Sequence, residues 1–201
     1  MPADAIRKYE NRSLVLRAQG GNKGAFGELY VRHHQSVRRL IVSIVGPTAE
    51  LDDLTQQVFQ HAFKSLNRFR ANSCFSTLLN RLTVKVAIFH LRRKKRMFFG
   101  ERDDLYSLPD SSKQNGAIGN HSDIQKIMHT LYNTLDILEP KERIVFVLCD
   151  LEQRNFDELR RITGMYRYSA KLRLWTARRT LRKKASENPL LDRVISQNHS
   201  R

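Results

Sequence analysis

The sequence contains few of the residues that stabilise disulfide-linked, metal-bound or strand-rich proteins. Only two of its 201 residues are cysteine, and Cys74 and Cys149 stand far apart, outside any CxxC or Cys/His spacing. A disulfide framework and a structural zinc site are therefore excluded, and we expect reduced thiols and no metal or other cofactor. Nine glycines and five prolines are too few for the frequent turns of a strand protein, which favours an all-α fold.

Two further absences limit the function. No apolar run approaches the roughly 20 residues of a membrane span, and residues 1–19 mix charges with apolar positions, unlike a signal peptide. We therefore expect a cytoplasmic protein without stable membrane insertion. The seven histidines are scattered, and the sequence has no glycine-rich phosphate loop, nucleophile motif or metal-ligand spacing, so we expect neither an enzyme nor a small-molecule substrate.

Acidic residues are strongly outnumbered by basic ones. The chain has 36 Lys and Arg against 20 Asp and Glu, which gives a net charge of +16. Such an excess predicts a polyanionic partner, with nucleic acid first and an anionic membrane second. A ribosome-associated protein, or a basic surface that only keeps the chain in solution, is the alternative that composition alone leaves open.

Apolar residues at three- and four-residue steps predict amphipathic helices along the first half of the chain. The first helix ends at Gly46-Pro47, a turn that cannot continue a helix, and the second follows Thr48, its expected N-cap. A third is predicted to begin near Ser76 and to end in the basic run 92–96. The apolar positions expected to face inward include Phe59 and Phe63 in the second helix and Leu79, Leu82, Val86 and Phe89 in the third.

Residues 67–75, between the second and third helices, interleave cations, aromatic rings and small polar side chains. Such a surface suits single-stranded DNA, because bases stack on rings while phosphates contact Arg or Lys. The alternative is that Phe69 and Phe75 anchor the loop in the core, and we expect this of at least one of them.

A polar stretch at residues 100–121 separates the two halves of the chain. It contains Pro109 and shows no sustained helical periodicity, so we interpret it as a linker. The predicted architecture is therefore all-α, with two small helical domains at 1–99 and 122–201. In the second domain helical periodicity resumes after Ser122 and breaks once, at Glu139-Pro140.

The second domain carries a helix-turn-helix signature, namely a short helix, a glycine-containing turn and a longer basic helix. Asn155 with Glu158 predicts the start of the short helix, Gly164 suits its left-handed end, and Ser169 is expected to cap the long helix. Its outward side chains would reach base edges while cations neutralise phosphates, although a hairpin with a solvated cationic face remains an alternative. The residues expected to contact DNA are Ser169, Lys171, Leu172, Arg173, Trp175, Thr176, Arg178 and Arg179.

Several segments, in this order and at these separations, resemble the extracytoplasmic-function group of sigma-70 family transcription initiation factors. The segments similar to the family's second region are AFGELY at 25–30, DDLTQQVF at 52–59, RFR at 68–70 and the stretch 75–96. Those similar to its fourth region are 138–152 and 156–181. The resemblance extends over most of the chain, from about Leu14 to Ala185.

The resemblance implies a protein that binds core RNA polymerase and directs promoter-specific initiation. The implied polymerase contacts are Asp52, Asp53, Gln56 and Gln57. The implied contacts to the minus-ten element, in duplex and melted form, are Arg70, Asn72, Ser73, Phe75, Arg81, Lys85, Arg92 and Arg93. The helix after Gly164 would read the minus-thirty-five element in the major groove, and a dedicated anti-sigma factor is a further expected partner.

The sequence departs from the family pattern at a few positions. Leu78 stands where tryptophan is usual, Lys85 where asparagine or another polar residue is common, and Arg160 where a small residue is usual. A stand-alone helix-turn-helix regulator is the rival interpretation, since the second domain alone would support it. Such a regulator should bind duplex DNA by itself, whereas a sigma factor needs core polymerase.

Overall fold

The computed structural model describes residues 3–69, 74–100 and 131–185, with side chains from 11–69, 74–97 and 131–185. Every regular element in these ranges is helical, as the sequence predicts. No helix among them is both long enough and apolar enough to cross a membrane. The helices are α1 Ala3–Gln19, α2 Lys23–Val45, α3 Leu51–Ser65, α4 Phe75–Gly100, α5 Pro140–Phe146, α6 Phe156–Thr163 and α7 Arg167–Ala185.

Local signals set the ends of the first helices. The Asn22 side chain accepts a hydrogen bond from the Ala25 amide at 3.0 Å, and α2 ends at Gly46, whose φ of 95° favours glycine. The predicted cap of α3 is wrong. Thr48 Oγ1 accepts from the Glu50 amide at 3.2 Å and so organises the turn, whereas the helix itself begins at Leu51.

The helix-turn-helix forms as predicted except at one cap. Asn155 Oδ1 accepts from the amides of Asp157 and Glu158, at 3.1 and 2.9 Å, and Gly164 closes α6 with a φ of 73°. The prediction that Ser169 caps the long helix is wrong. The Tyr166 carbonyl already accepts from the Ala170 amide at 2.9 Å, so α7 begins at Arg167 and Ser169 lies within its first turn.

The core runs through both halves of the chain. In the first half α2 packs against α1, α3 and α4, and in the second α5 packs against α7. α6 packs on α4, so Ile144, Leu148 and Leu159 share one buried cluster with Leu29 and Ile41 of α2. A smaller cluster in the second half contains Leu135, Leu138, Ala177 and Leu181. The two halves therefore lie directly against each other, and the predicted linker falls almost entirely outside the described residues.

The inward face of α4 differs from the predicted one at Phe89. Leu79 and Val86 are buried as expected, but the Phe89 side chain is 61% exposed. Thr83 and His90 are buried on the inward face instead. A prediction from apolar positions alone leaves out Thr83 and His90. It therefore places the inward face of the helix too close to Phe89.

Candidate nucleic-acid interface

One face of α3 presents polar side chains to solvent. Leu54, Thr55 and Val58 are buried on the opposite face, and Arg38 of α2 donates a hydrogen bond to Asp52. The exposed residues include all four predicted polymerase contacts, Asp52, Asp53, Gln56 and Gln57. An acidic and amide surface on a chain of net charge +16 is suited to a protein partner rather than to a phosphate backbone.

The polar face of α3 continues into an aromatic patch that sequence reasoning missed. Phe63 was expected inward but is 54% exposed, and its ring packs edge-on against Phe26 at 5.1 Å. Tyr30 is also partly exposed, and its ring lies 4.6 Å from that of Phe59. A side chain in the apolar stripe of a helix can thus lie at the edge of the core. Helical periodicity alone does not distinguish such a position from one at the centre of the core.

The loop predicted to bind melted DNA is described only at its ends. Its predicted contacts Arg70, Asn72 and Ser73 lie outside the described residues. At one end the Gln19 side chain donates to the Phe69 carbonyl at 2.7 Å and so ties the loop to α1. At the other end Phe75 is 2% exposed, with its ring 6.1 Å from that of Phe69 and 5.5 Å from that of His33.

The burial of Phe75 corrects its predicted role as a DNA contact. At the first position of α4 the ring fills the space between α4 and the rest of the bundle, where it gains burial but offers no face to a base. The alternative stated for these two rings, that at least one anchors the loop, is therefore confirmed for Phe75. His33 is itself partly buried beside this ring, and its burial, followed by the charge of Arg32, lowers the pKa of His33.

A cationic stripe runs along the exposed face of α4. Its members are separated by four, four, three and four residues, which places them on one side of the helix. They are Arg81, Lys85, Phe89, Arg92 and Arg96, all exposed. Neither Phe89 nor Arg96 was among the predicted DNA contacts. Phe89, which was expected inward, adds a ring to a surface whose cations suit phosphates.

Three cations between Arg92 and Arg96, namely Arg93, Lys94 and Lys95, lie on other faces of α4 and form ion pairs. Arg93 pairs with Glu50 at the start of α3, so this predicted DNA contact is engaged within the first half of the chain. His90 is buried beside the same carboxylate, and burial lowers its pKa although Glu50 opposes the shift. Lys94 pairs with Asp136 at 2.8 Å, which joins the two halves of the chain.

The outward face of α7 presents cationic, apolar and aromatic side chains. Lys171, Leu172 and Trp175 are exposed over the second and third turns, and the Arg179 guanidinium lies 5.3 Å from the centre of the Trp175 ring. A shallow groove on this face is lined by Phe156, Lys171, Leu174, Trp175, Arg178, Arg179 and Arg182. Ser169, Arg173 and Thr176 are half-buried, and Thr176 Oγ1 already donates to the Leu172 carbonyl at 3.0 Å.

Arg178 differs from its neighbours because it is held by a carboxylate. Its Nε and Nη2 atoms donate to the two oxygens of Asp150 at 2.8 and 2.6 Å, and these hydrogen bonds raise the pKa of Arg178. The pair joins α7 to the π-helix Val147–Leu151 that follows α5. Arg178 therefore holds α7 in place, whereas Arg179 is the more exposed cation of the two.

Comparison with known proteins finds sigma factors. Residues 29–97 match the model of sigma-70 region 2. The ECF RNA polymerase sigma-E factor of Escherichia coli (strain K12) is 26% identical over 186 residues, which cover 90% of this chain and 95% of that protein. The chain therefore contains a sequence similar to sigma-70 region 2, and along most of its length it is similar to an extracytoplasmic-function (ECF) sigma factor.

A second sigma factor is similar in sequence, and one solved structure is similar in fold. The RNA polymerase sigma-H factor of Pseudomonas aeruginosa is 33% identical over 91 residues, 45% of this chain and 47% of that protein. The structure of CnrH in complex with the cytosolic domain of CnrY aligns with a TM-score of 0.62 at 21% identity, over 89% of this chain and 99% of CnrH. The stretch that matches region 2 spans the polar face of α3 and the cationic stripe of α4.

Proposed function

We propose that this chain is a sigma-70 family member that binds core RNA polymerase and directs promoter-specific transcription initiation, without a catalytic step of its own. In this proposal region 2, within residues 1–99, binds polymerase and opens the minus-ten element. Region 4, within residues 122–201, reads the minus-thirty-five element, and residues 100–121 link the two. As a factor of bacterial RNA polymerase, the protein would act in the cytoplasm.

The observation that carries the proposal is the polar face of α3 within a sigma-70 region 2 sequence. A stand-alone DNA-binding regulator has no need for an exposed acidic and amide surface on the domain that lacks the helix-turn-helix. A polymerase subunit needs one, because a basic protein must bind its protein partner through a face that does not also attract DNA. We assign Asp53, Gln56 and Gln57 to this contact, with Asp52 oriented by Arg38.

The DNA contacts divide between α4 and α7. We assign the cationic stripe of α4 to the minus-ten region, with phosphates on its Arg and Lys side chains and Phe89 against a base or sugar. In α7 we assign Lys171 and Trp175 to base reading and Arg179 to a phosphate, because the N-terminal half of a recognition helix reaches base edges.

A regulatory protein partner is also part of the proposal. CnrH was solved as a complex with the cytosolic domain of CnrY. Since CnrH aligns with nearly the whole of this chain, we propose that an anti-sigma factor binds the protein in a comparable way.

The proposal is tested by DNA binding with and without core polymerase. The purified chain alone should bind promoter fragments weakly and without sequence preference. Addition of core polymerase should produce a specific, heparin-resistant complex on fragments that carry both elements. Specific binding of the chain alone, unaltered by core polymerase, would instead favour a stand-alone regulator.

Two variants of α7 separate base reading from phosphate contact. Lys171→Ala should cost about 1–3 kcal/mol of binding on the cognate upstream element and flatten the preference at one or two bases. Arg179→Ala should weaken binding to all sequences alike and reduce the slope of log affinity against log salt by about one unit. Salt titrations of the holoenzyme on matched and scrambled upstream elements measure both effects.

Arg178→Ala serves as the structural comparison for these two variants. It removes the partner of Asp150, which is largely buried, so it should lower the thermal stability of region 4 as well as its affinity. Equal losses for Lys171→Ala on matched and scrambled templates would show that Lys171 contacts only phosphate, and another residue would have to read the bases.

A further inference from the structure

The outward face of α7 carries three large apolar side chains in a row. Tyr168, Leu172 and Trp175 are separated by four and three residues, which places them on one side of the helix. They are 82%, 55% and 57% exposed. Ala170 and Leu174 are buried on the opposite side and attach the helix to the core. We call the three exposed residues the Leu172 stripe.

The polar side chains in the same half of α7 have less access to a base edge. The Arg167 guanidinium lies 5.8 Å from the centre of the Phe156 ring and is thereby drawn toward α6. Three other polar residues are half-buried, namely Ser169, Arg173 and Thr176. Lys171 is exposed and can offer a hydrogen bond, but most of the remaining outward surface at residues 167–176 belongs to the Leu172 stripe.

An apolar surface on a recognition helix has a specific counterpart in duplex DNA. In the major groove the base edges present hydrogen-bond donors and acceptors, and the C5-methyl group of thymine is the apolar group among them. An apolar side chain gains free energy when it buries that methyl group. Against guanine, cytosine or adenine it would instead leave a donor or an acceptor without a partner. The Leu172 stripe therefore favours thymine.

The charges beside the stripe favour DNA as its partner over another protein. Lys171 and Arg179 are exposed and line the same shallow groove as Trp175. The Arg179 guanidinium lies 5.3 Å from the centre of the Trp175 ring, so that the ring and the cation are presented together. The core of a protein interface is depleted of charged residues, whereas cations beside a groove-reading surface neutralise phosphates.

We propose that the Leu172 stripe reads thymine methyl groups, so that the minus-thirty-five element of this protein contains at least two thymines, on either strand, within about four base pairs. This inference rests on the proposed function and names the chemical groups that the recognition helix selects. The length of the stripe sets the spacing. From Tyr168 to Trp175 the helix rises about 10 Å at 1.5 Å per residue, which is about three base-pair steps of 3.4 Å.

Replacement of thymine by uracil tests the inference, because deoxyuridine pairs with adenine as thymidine does but lacks the methyl group. The element is first obtained by selection, with the holoenzyme, from promoter fragments that carry a randomised upstream segment. Each of its thymines is then replaced in turn, and the affinity of the holoenzyme is measured by titration. At two or more neighbouring positions the affinity should fall about fourfold, the loss expected for one buried methyl group. Replacement outside the element should have no effect.

Variants of the stripe assign each methyl group to a side chain. Leu172→Ala should bind the thymine and uracil templates equally well at one position, because the partner of that methyl group is gone. Tyr168→Ala should do the same at a different position. Leu172→Met retains an apolar side chain and should keep most of the discrimination. Leu16→Ala is the matched control, since Leu16 is 52% exposed on α1, and it should keep the full fourfold difference.

The outcomes separate this inference from the proposed function. A holoenzyme that enriches no sequence beyond those enriched by core polymerase alone contradicts the proposed function itself. A selected element without neighbouring thymines, or with an affinity that uracil alters at no position, overturns the inference and leaves the proposed function standing. A Leu172→Ala variant that loses equal affinity on both templates overturns it as well. So does a Leu172→Ala variant that binds core polymerase weakly but still discriminates thymine from uracil, because the stripe would then contact a protein.

Discussion

Replacing Phe75 with alanine is expected to destabilise the protein by about 3–5 kcal/mol, because the ring is buried and its removal leaves a cavity. This is a large part of the 5–15 kcal/mol by which domains are typically stable, and it should lower the melting temperature by roughly 10 °C. Thermal unfolding followed by circular dichroism measures the effect. Phe89→Ala is the matched control, since its ring is exposed on the same helix and should cost under about 0.5 kcal/mol.

The contrast with Asn72 separates folding from strand opening. Asn72→Ala should leave the melting temperature unaltered but slow promoter melting, because we expect the loop at 67–75 to bind single-stranded DNA of the minus-ten element, which offsets the cost of extruding a base. A pre-melted bubble template should then rescue Asn72→Ala but not Phe75→Ala. If Phe75→Ala melts at the same temperature as the parent, the ring does not belong to the core and its assignment as a DNA contact would be restored.

Charge reversal at Asp53 is expected to cause the largest loss of polymerase binding. Asp53→Arg replaces a negative charge on the acidic face with a positive one. It should weaken the affinity for core polymerase at least about tenfold, which is about 1.4 kcal/mol. The loss of an acidic residue from the first turn of α3 should cost only about 0.3–1 kcal/mol of folding stability, so the domain should stay folded. Fluorescence titration of labelled protein with core polymerase measures the affinity.

Asp157→Arg is the matched control for the change of charge. Asp157 is exposed in the first turn of α6, so the substitution has the same effect on net charge and on a helix terminus, away from the polar face of α3. Gln56→Ala should give a smaller loss than Asp53→Arg. Parent-like affinity for both α3 variants would show that polymerase binds another face.

Local chemistry made the helices and their ends predictable from sequence. Gly46, Asn155 and Gly164 act within a few residues of themselves, through positive φ or a side-chain cap, so each could be recognised without tertiary contacts. The polar face of α3 was predictable for a related reason. Its exposed residues alternate with an apolar stripe, and the helix buries that stripe as the periodicity requires.

The features that were not predictable depend on distant partners. His90 takes the inward position expected for Phe89 because the bundle accommodates a polar ring there, which an apolar pattern does not show. In the sequence Arg178 resembles its neighbouring phosphate-contact candidates, because the carboxylate that holds it, Asp150, lies 28 residues away along the chain. Arg143 bonds carbonyls 98 and 99 residues away, and nothing in its neighbourhood along the chain distinguishes it from an exposed arginine.

Transcription by a reconstituted holoenzyme tests the central claim most directly. Core RNA polymerase, the purified chain and a library of genomic fragments would be combined, and the 5′ ends of the transcripts mapped. The account predicts initiation at a small set of sites, each preceded by the same pair of separated elements, and none of these starts with core polymerase alone. Transcripts that start at the same positions with and without the chain would contradict it.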